Sequence, residues 1–321
     1  MNRIAVLVAT AAVFTAVAGP TSAAAAWPDK PVRIVVPFPA GGASDATARA
    51  LGEALAKRLG QPVLIENRPG ASGGVAAQAA MGAAPDGNTL LWASASMVAL
   101  PYVLKKPPFA AMTDMAPVAM VGRLPFCLFV HPSVTAGTLA QFTAQARQQP
   151  GKLNFAAGSI SEYLAGTQLN AASGAQMQHV PYKGGAQLMP DLVEGRVQVN
   201  IGPCSTGMPF VKAGRLRVLA TLLDQRSPLL QEVPTAAEAG LPELAAPTWQ
   251  ALLAPPRTPA AIVDRLAREV ADALADPQTR AQLERIGVQP AAAGPAALTA
   301  RMRQDMPLWE RFVRQNGIEA E

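Results

Sequence analysis

Short apolar runs alternate along the chain with segments whose apolar residues recur at helical spacing. The run at 32–36 is followed by the segment 46–59, in which one face of a helix is apolar. Gly60 ends that segment, and another apolar run follows at 63–65. This opening pattern predicts a buried strand, a surface helix and a second strand.

The same alternation continues to the end of the chain. Further strands are predicted at 90–92, 116–121, 126–130, 153–157, 178–180, 197–201, 217–221 and 250–254. Further helices are predicted at 75–83, 139–148, 162–173, 186–194, 208–213, 259–274, 277–286 and 295–315. Strands that alternate with helices favour an α/β fold with mostly parallel sheets covered by helices on both faces.

The distribution of these strands predicts two sheets and therefore two lobes. At least three strands precede residue 100, and five lie between 126 and 221. We expect lobe I to comprise 27–124 plus 248–321, and lobe II to comprise 125–247. The chain would cross between the lobes near Gly122–Pro125 and again before Trp249.

The first 26 residues have the pattern of a secretory signal peptide. Arg3 is their only charge, and an apolar run at 4–18 leads to a small-residue segment that ends at Ala26. Cleavage is expected after Ala26, and cleavage after Ala24 fits nearly as well. The apolar run is shorter than the ~20 residues of a membrane span, so the pattern predicts an exported protein.

Composition and charge argue against two classes of function, nucleic-acid binding and metal binding. The chain has 321 residues, of which 15% are charged, and a formal net charge of +5. Its basic residues are dispersed, which argues against a nucleic-acid partner. Cys127 and Cys204 either form the disulfide that export permits or are two small buried side chains. The two histidines, His131 and His179, have no metal-ligand spacing, so no metal is expected.

Small polar loops follow five of the predicted strands. They read PFPAGGASD, WASASM, GSIS, PYKGG and GPCSTG. Glycine exposes backbone N–H groups, and the start of a helix favours an anion. Alone, the first loop is equally typical of a helix cap, with Ser44 as the expected cap, and each of the other four is more typical of a cap than of a site. Because strands of parallel sheets bind ligands at their carboxyl ends, five such loops predict one cleft.

Neither G-x-G-x-x-G nor G-x-x-x-x-G-K-[ST] occurs in the sequence. Nucleotide binding is therefore not indicated, and no cofactor is expected. The sequence PCSTG around Ser205 lacks the G-x-S-x-G pattern of a nucleophile elbow, because Pro203 stands in place of the first glycine. A serine hydrolase remains an alternative that this loop supports poorly.

A set of longer motifs resembles one known family over essentially the whole chain after residue 26. The motifs are VRIVVPFPAGGASDATARAL, PVLIENRPGASGG, APDGNTLL, HVPYKGGAQLMPDLVEGRVQV and WQALLAPPRTPAAIV. They resemble the extracytoplasmic solute receptors of tripartite tricarboxylate transporters, often called Bug receptors. The resemblance implies a periplasmic binding protein of type II, with two lobes and a hinged cleft. It further implies a monomer that binds a small organic acid and delivers it to membrane permease subunits; a ligand sensor for a signalling system is the alternative.

The resemblance, together with the strand-end loops, gives the candidate ligand-binding residues. They are Phe38, Ala40, Gly41, Gly42, Ser44, Asp45, Ser94, Ser96, Gly158, Ser159, Ser161, Tyr182, Gly202, Ser205 and Trp249. Trp249 matches an aromatic residue that either forms a wall of the cleft or belongs to the core.

The sequence departs from the family pattern at the cleft side of lobe II. The loop GSISEYLAG is about two residues shorter than usual, and Glu162-Tyr163 replaces a small residue and a histidine. Gly202 and Leu100 stand where the family often has Asp and Asn. These departures predict altered lobe II contacts and favour a less polar ligand, such as an aromatic acid.

Overall fold

A first mixed sheet is built from segments that are far apart in the sequence. The computed structural model describes residues 27–223, 225–227 and 230–318, and the predicted signal peptide lies outside them. Among the described residues, six strands form this sheet in the order β11-β4-β10-β3-β1-β2. They are β1 Val32–Val36, β2 Val63–Asn67, β3 Thr89–Ser94, β4 Ala116–Arg123, β10 Trp249–Ala254 and β11 Gln289–Ala293.

The second sheet comes from one continuous part of the chain. Its five described strands are arranged in the order β7-β6-β8-β5-β9. They are β5 Phe126–Val130, β6 Asn154–Ala157, β7 Gln178–Pro181, β8 Val199–Pro203 and β9 Arg217–Thr221. The chain passes from the first sheet to the second between β4 and β5, and it returns between β9 and β10. The residue boundaries of the two lobes stay a prediction.

Helices flank both sheets. In chain order, the described α-helices are α1 Ala43–Leu59, α2 Gly74–Met81, α3 Leu100–Val103, α4 Leu139–Gln148, α5 Ile160–Ser173, α6 Gly185–Val193, α7 Cys204–Lys212, α8 Ala260–Ala275, α9 Pro277–Arg285 and α10 Pro295–Gln315. The two-lobed α/β fold predicted from the sequence is thus confirmed. Within the described residues, no helix is both long enough and apolar enough to span a bilayer.

The sheets are mixed, which corrects the prediction of mostly parallel sheets. β1 is parallel to β2 and β3, and β6 is parallel to β7 and β8. In contrast, β10 is antiparallel to β3 and β4, and β5 is antiparallel to β8 and β9. The reason is that β5 and β10 enter their sheets directly from the other sheet. They are not joined to their neighbours by the crossover helix that parallel pairing requires.

The inner strands β1, β3 and β10 of the first sheet are buried on both faces. Val35, Leu91 and Leu253 pack into one apolar cluster, whereas their chain neighbours Ile34 and Leu252 pack into another on the opposite face. Successive residues of a strand point to opposite faces, so continuous apolar runs are what a doubly covered sheet needs. This explains why these strands appear in the sequence as short apolar runs without polar alternation.

The helix α1 begins and ends where its sequence dictates. Pro37 and Pro39 cannot donate to the sheet, so β1 ends before them. Gly42 is the N-cap residue, with extended backbone and no side-chain cap bond, and Gly60 closes the helix in the left-handed conformation at φ 67°. The prediction that Ser44 caps this helix is therefore wrong, because Ser44 already lies inside it.

A disulfide joins Cys127 to Cys204. Cys127 lies on β5 opposite Gly202 of β8, and Cys204 begins α7 directly after β8, so the two Cα atoms are only 4.9 Å apart. Of the two alternatives that the sequence left open, the structure has the covalent one. The bond ties the start of α7 to the middle of the second sheet.

Candidate functional site

One cavity lies where the carboxyl ends of strands from both sheets meet. It encloses about 700 Å³, including the space at its mouth. Segments that follow β1, β3, β6, β7 and β8 all border it, as do both crossings between the sheets. All five of the polar loops that the sequence singled out therefore reach one cavity, as the cleft prediction required.

The walls of the cavity are made by small, polar and aromatic residues. On the side of the first sheet they are Phe38, Pro39, Gly42, Ala43, Ser44, Ser94, Ala95, Ser96, Leu124, Pro247, Thr248, Trp249 and Gln250. On the side of the second sheet they are Phe126, Gly158, Ser159, Ser161, Glu162, Gly184, Gly185, Ala186, Pro203 and Thr206. Such a mixture of apolar walls and a few converging polar groups is typical of a small-molecule site.

Nine of the fifteen candidate residues lie in these walls. They are Phe38, Gly42, Ser44, Ser94, Ser96, Gly158, Ser159, Ser161 and Trp249. Their role as ligand contacts stays a prediction. The other six do not line the cavity: Ala40, Gly41, Asp45, Tyr182, Gly202 and Ser205.

Asp45, in the first turn of α1, stabilises the loop that precedes this helix. Its Oδ2 accepts hydrogen bonds from the Gly41 N–H at 2.9 Å and from Arg49 Nε at 3.0 Å. Its Oδ1 accepts from Asn67 Nδ2 at 2.9 Å. Burial raises the pKa of this carboxyl, but the Arg49, Gly41 and Asn67 bonds outweigh burial and lower the pKa overall. The Gly41 N–H is thereby used within the loop, while Ala40 is exposed beside it.

Tyr182 does not line the cavity, and its hydroxyl is hydrogen-bonded within the protein. Its hydroxyl donates to Asp191 Oδ2 at 2.6 Å, and Asp191 also accepts a hydrogen bond from Arg196. Partial burial and the Asp191 carboxylate raise the pKa of Tyr182 to about 12. The hydroxyl is therefore a neutral structural donor.

Gly202 and Ser205 pack against protein instead of facing the cavity. A Cβ atom on Gly202 would lie 2.8 Å from Asn200 Oδ1, so glycine leaves room for that amide. Ser205 packs against the turn at Gly287, where an added Cβ would lie 2.8 Å from Ser205 Cβ. The Ser205 Oγ is buried and has no hydrogen-bond partner among the described residues, so no base activates it as a nucleophile.

The wall nearest the first sheet is fixed by hydrogen bonds between polar side chains. Gln250 Nε2 donates to Ser44 Oγ at 2.9 Å, which links the start of α1 to the central strand β10. Ser94 and Ser96 hydroxyls are 2.9 Å apart and share a hydrogen bond. Trp249 Nε1 donates to Asp305 Oδ2 of α10 at 2.7 Å. Trp249 is thus both a wall of the cavity and a buried part of the core.

The opposite wall carries a buried carboxyl group. Ser159 caps α5 by accepting the Glu162 N–H at 3.2 Å, and Glu162 Oε2 accepts the Gly158 N–H at 2.7 Å. Asn200 Nδ2 lies 3.4 Å from the same oxygen. Burial raises the pKa of Glu162 to about 7, and the hydrogen bonds from Gly158, Asn200 and Ser159 lower it only in part.

Glu162 is the wall residue that sequence reasoning noted but did not include among the site residues. Its signal was an acidic residue in the first turn of a helix that follows a Gly-Ser loop. Thr206, Thr248 and Gln250 were also missed, because Thr248 and Gln250 flank a crossing between sheets and Thr206 lies inside α7. Among the described residues, no group of three or more His, Cys, Asp or Glu side chains is arranged to hold a metal ion.

Comparisons with known proteins agree on one family. Residues 47–318 match the family model described as tripartite tricarboxylate transporter family receptor. Protein BugT of Bordetella pertussis is 33% identical over an alignment of 322 positions that covers 98% of each chain.

Two solved structures extend this likeness to the fold. The periplasmic binding protein BugD is 29% identical, has a TM-score of 0.84, and is matched over 92% of this chain and 100% of its own. Rpa4515 of R. palustris, solved with adipate, is 32% identical, has a TM-score of 0.86, and is covered to the same extents. The proteins of this comparison are substrate-binding receptors and not enzymes.

Proposed function

Because this chain belongs to the tripartite tricarboxylate transporter receptor family, we propose that it binds a small organic carboxylate between its two sheets and delivers it to a membrane permease. The observation that carries the proposal is the cavity, which takes walls from both sheets and is bordered by the start of a long helix. A ligand in this position contacts both lobes at once, so it favours the closed arrangement over an open one.

The start of α1 supplies the anion-binding chemistry. Gly42, Ala43 and Ser44 border the cavity, and the first N–H groups of a helix have no intrahelical acceptor. These N–H groups and the positive end of the helix dipole favour a carboxylate without a basic side chain. The hydroxyls of Ser94 and Ser96 lie in the same wall and provide further donors.

The solved relative with adipate supports the ligand class, since adipate is a small carboxylate. The periplasmic relative BugD and the signal-peptide pattern at 1–26 support export to the periplasm. Mass spectrometry of protein recovered from the periplasm tests the export proposal: cleavage after Ala26 gives a chain that begins at Trp27.

Ligand binding is tested by a thermal-shift screen of mono-, di- and tricarboxylates, aromatic acids and amino acids, followed by calorimetry on the hits. A ligand at 100 times its Kd adds about 2.7 kcal/mol to the free energy of unfolding, which is readily detected. If no member of these classes raises the Tm, the proposed ligand class is wrong. Delivery is tested separately, by ligand uptake into vesicles that carry the permease, with and without the receptor.

Two glycines provide a matched pair of variants that tests whether the ligand binds in this cavity. Gly42 and Gly294 are both N-cap residues with extended backbone, and neither would bring an added Cβ within 3.4 Å of another atom. Only Gly42 lines the cavity. We expect Gly42→Phe to abolish binding while Gly294→Phe retains it. Equal affinities in the two variants would place the ligand elsewhere.

A further inference from the structure

Glu162 is the one ionisable side chain among the described residues that line the cavity. It is 5% exposed, and its neighbours there are glycines, serines, threonines and apolar residues. Its hydrogen-bond partners, Gly158, Ser159 and Asn200, are likewise uncharged. The carboxyl group of Glu162 therefore determines which chemical group of a ligand can bind at the cavity wall on the side of the second sheet.

The two lobes share a local hydrogen-bond arrangement, and comparing the two copies shows how Glu162 differs from Asp45. In each, a backbone N–H donates to the carboxylate four residues later: Gly41 to Asp45 at 2.9 Å, and Gly158 to Glu162 at 2.7 Å. Asp45 also has a cation, since Arg49 lies 3.0 Å from it, and it faces away from the cavity. Glu162 has the same backbone bond without a cation, and it lies in the cavity wall.

The start of α5 is a poor site for a second ligand carboxylate, because here, unlike at α1, the carboxyl group itself lies in the cavity wall. The Gly158 N–H, which would otherwise hold an anion there, already bonds to Glu162. An ionised Glu162 would repel a second carboxylate, and no wall residue carries a positive charge to offset that repulsion.

Two further buried oxygens lack donors. Gln250 lines the cavity and is 3% exposed, and its Oε1 has no hydrogen-bond partner among the described residues. Asn200, the partner of Glu162, is 1% exposed, and its Oδ1 likewise has no hydrogen-bond partner among the described residues. Buried acceptors without donors are costly, and both of these oxygens belong to residues at or beside the cavity wall.

We infer that Glu162 is a specificity-determining residue that accepts an ammonium group of the ligand, so that this receptor prefers an amino acid to a dicarboxylate. The inference rests on the proposed function, in which the ligand carboxylate binds at the start of α1. The ammonium group supplies the cation that Glu162 lacks and donates charge-assisted hydrogen bonds to it. Glu162 thus distinguishes a zwitterionic ligand from a doubly anionic one of the same length.

Calorimetry on matched ligand pairs tests this preference at pH 8. Each pair exchanges one carboxylate for an ammonium group on the same scaffold: succinate with 3-aminopropanoate, glutarate with 4-aminobutanoate, adipate with 5-aminopentanoate, and 4-carboxyphenylacetate with 4-(aminomethyl)benzoate. For the scaffold that fits, we expect the amino member to bind at least about tenfold more tightly. Glu162→Gln keeps the shape of the side chain and should reduce or reverse that ratio, while Glu53→Gln on the exposed face of α1 should leave it unchanged.

Each outcome bears on the inference. A wild-type protein that binds dicarboxylates as tightly as their amino partners overturns it and leaves the proposed function standing. A preference for amino members that survives in Glu162→Gln, with native circular dichroism, also overturns it, because the preference would then come from another group. If no member of any pair binds, and the wider carboxylate screen is negative too, the proposed function fails and the inference fails with it.

Discussion

The buried carboxyl of Glu162 should make the ligand-free protein less stable as the pH rises. Its pKa is about 7 in the folded protein, against 4.5 for an exposed glutamate. Between these two values the folded state holds a proton that the unfolded state has lost, so the free energy of unfolding falls with rising pH. Above about pH 7 the full cost is present, and below about pH 4.5 it is absent.

The size of the effect follows from the same shift. One pKa unit corresponds to about 1.4 kcal/mol, so the shift is worth about 3 kcal/mol when complete. Glu162→Gln removes the ionisation and keeps an oxygen that accepts the Gly158 N–H. We therefore expect the variant to be more stable than wild type by up to about 3 kcal/mol at pH 8, and by about 1 kcal/mol or less at pH 5.

Urea unfolding of both ligand-free proteins at pH 5, 6, 7 and 8, followed by circular dichroism, measures this difference. The other titrating groups, including Asp45, are common to both proteins and cancel when the two curves are subtracted. Glu53→Gln, whose side chain is 63% exposed, is the matched control and should follow wild type at every pH. A Glu162→Gln variant whose stability differs from wild type by the same amount at all four pH values would refute the reasoning.

Three further changes test the packing around the cavity. Reduction of the Cys127–Cys204 disulfide should lower the free energy of unfolding by about 4 kcal/mol, since the bond closes a long loop. Unfolding with and without dithiothreitol measures this loss of stability. A loss below about 1 kcal/mol would contradict the prediction. Gly158→Ala would place a Cβ 2.6 Å from the backbone of the adjoining loop, so it should cost about 1–3 kcal/mol and weaken ligand binding; an unchanged Tm would argue against this contact. Trp249→Phe loses a buried hydrogen bond to a carboxylate, whereas the equally buried Trp309 has no partner for its Nε1 among the described residues. Trp249→Phe should therefore lower the free energy of unfolding by about 1.5–3 kcal/mol more than Trp309→Phe does. Thermal unfolding measures both losses, and equal losses would contradict the prediction.

The sequence predicted most elements because their signals are local. Pro37 and Gly60 bound β1 and α1 whatever the rest of the chain does. The strand β11 was not predicted, because QPAAA has no apolar alternation and contains Pro290, which only an edge strand tolerates. The start of α7 was placed too late, at Met208, although the helix already begins at Cys204.

The site was harder to predict, because the direction of a side chain depends on partners that are distant in the sequence. Ser44 and Asp45 are neighbours in the first turn of α1, yet Asn67 and Arg49 donate to the carboxylate of Asp45, whereas Gln250 donates to Ser44 at the cavity. The antiparallel direction of β10 has the same kind of origin, since nothing within its six residues specifies which sheet the chain has just left.

The position of β10 also sets the order in which the molecule can be completed. This strand lies between β3 and β4, so the first sheet stays divided until residues near 250 have emerged. The second sheet, built from 126–221, can assemble earlier. The start of α1 acquires its bond from Gln250 only when β10 inserts. A nascent chain that ends before β10 therefore has no finished cavity, and the wall that Trp249 and Gln250 form is added last, when this strand inserts between β3 and β4.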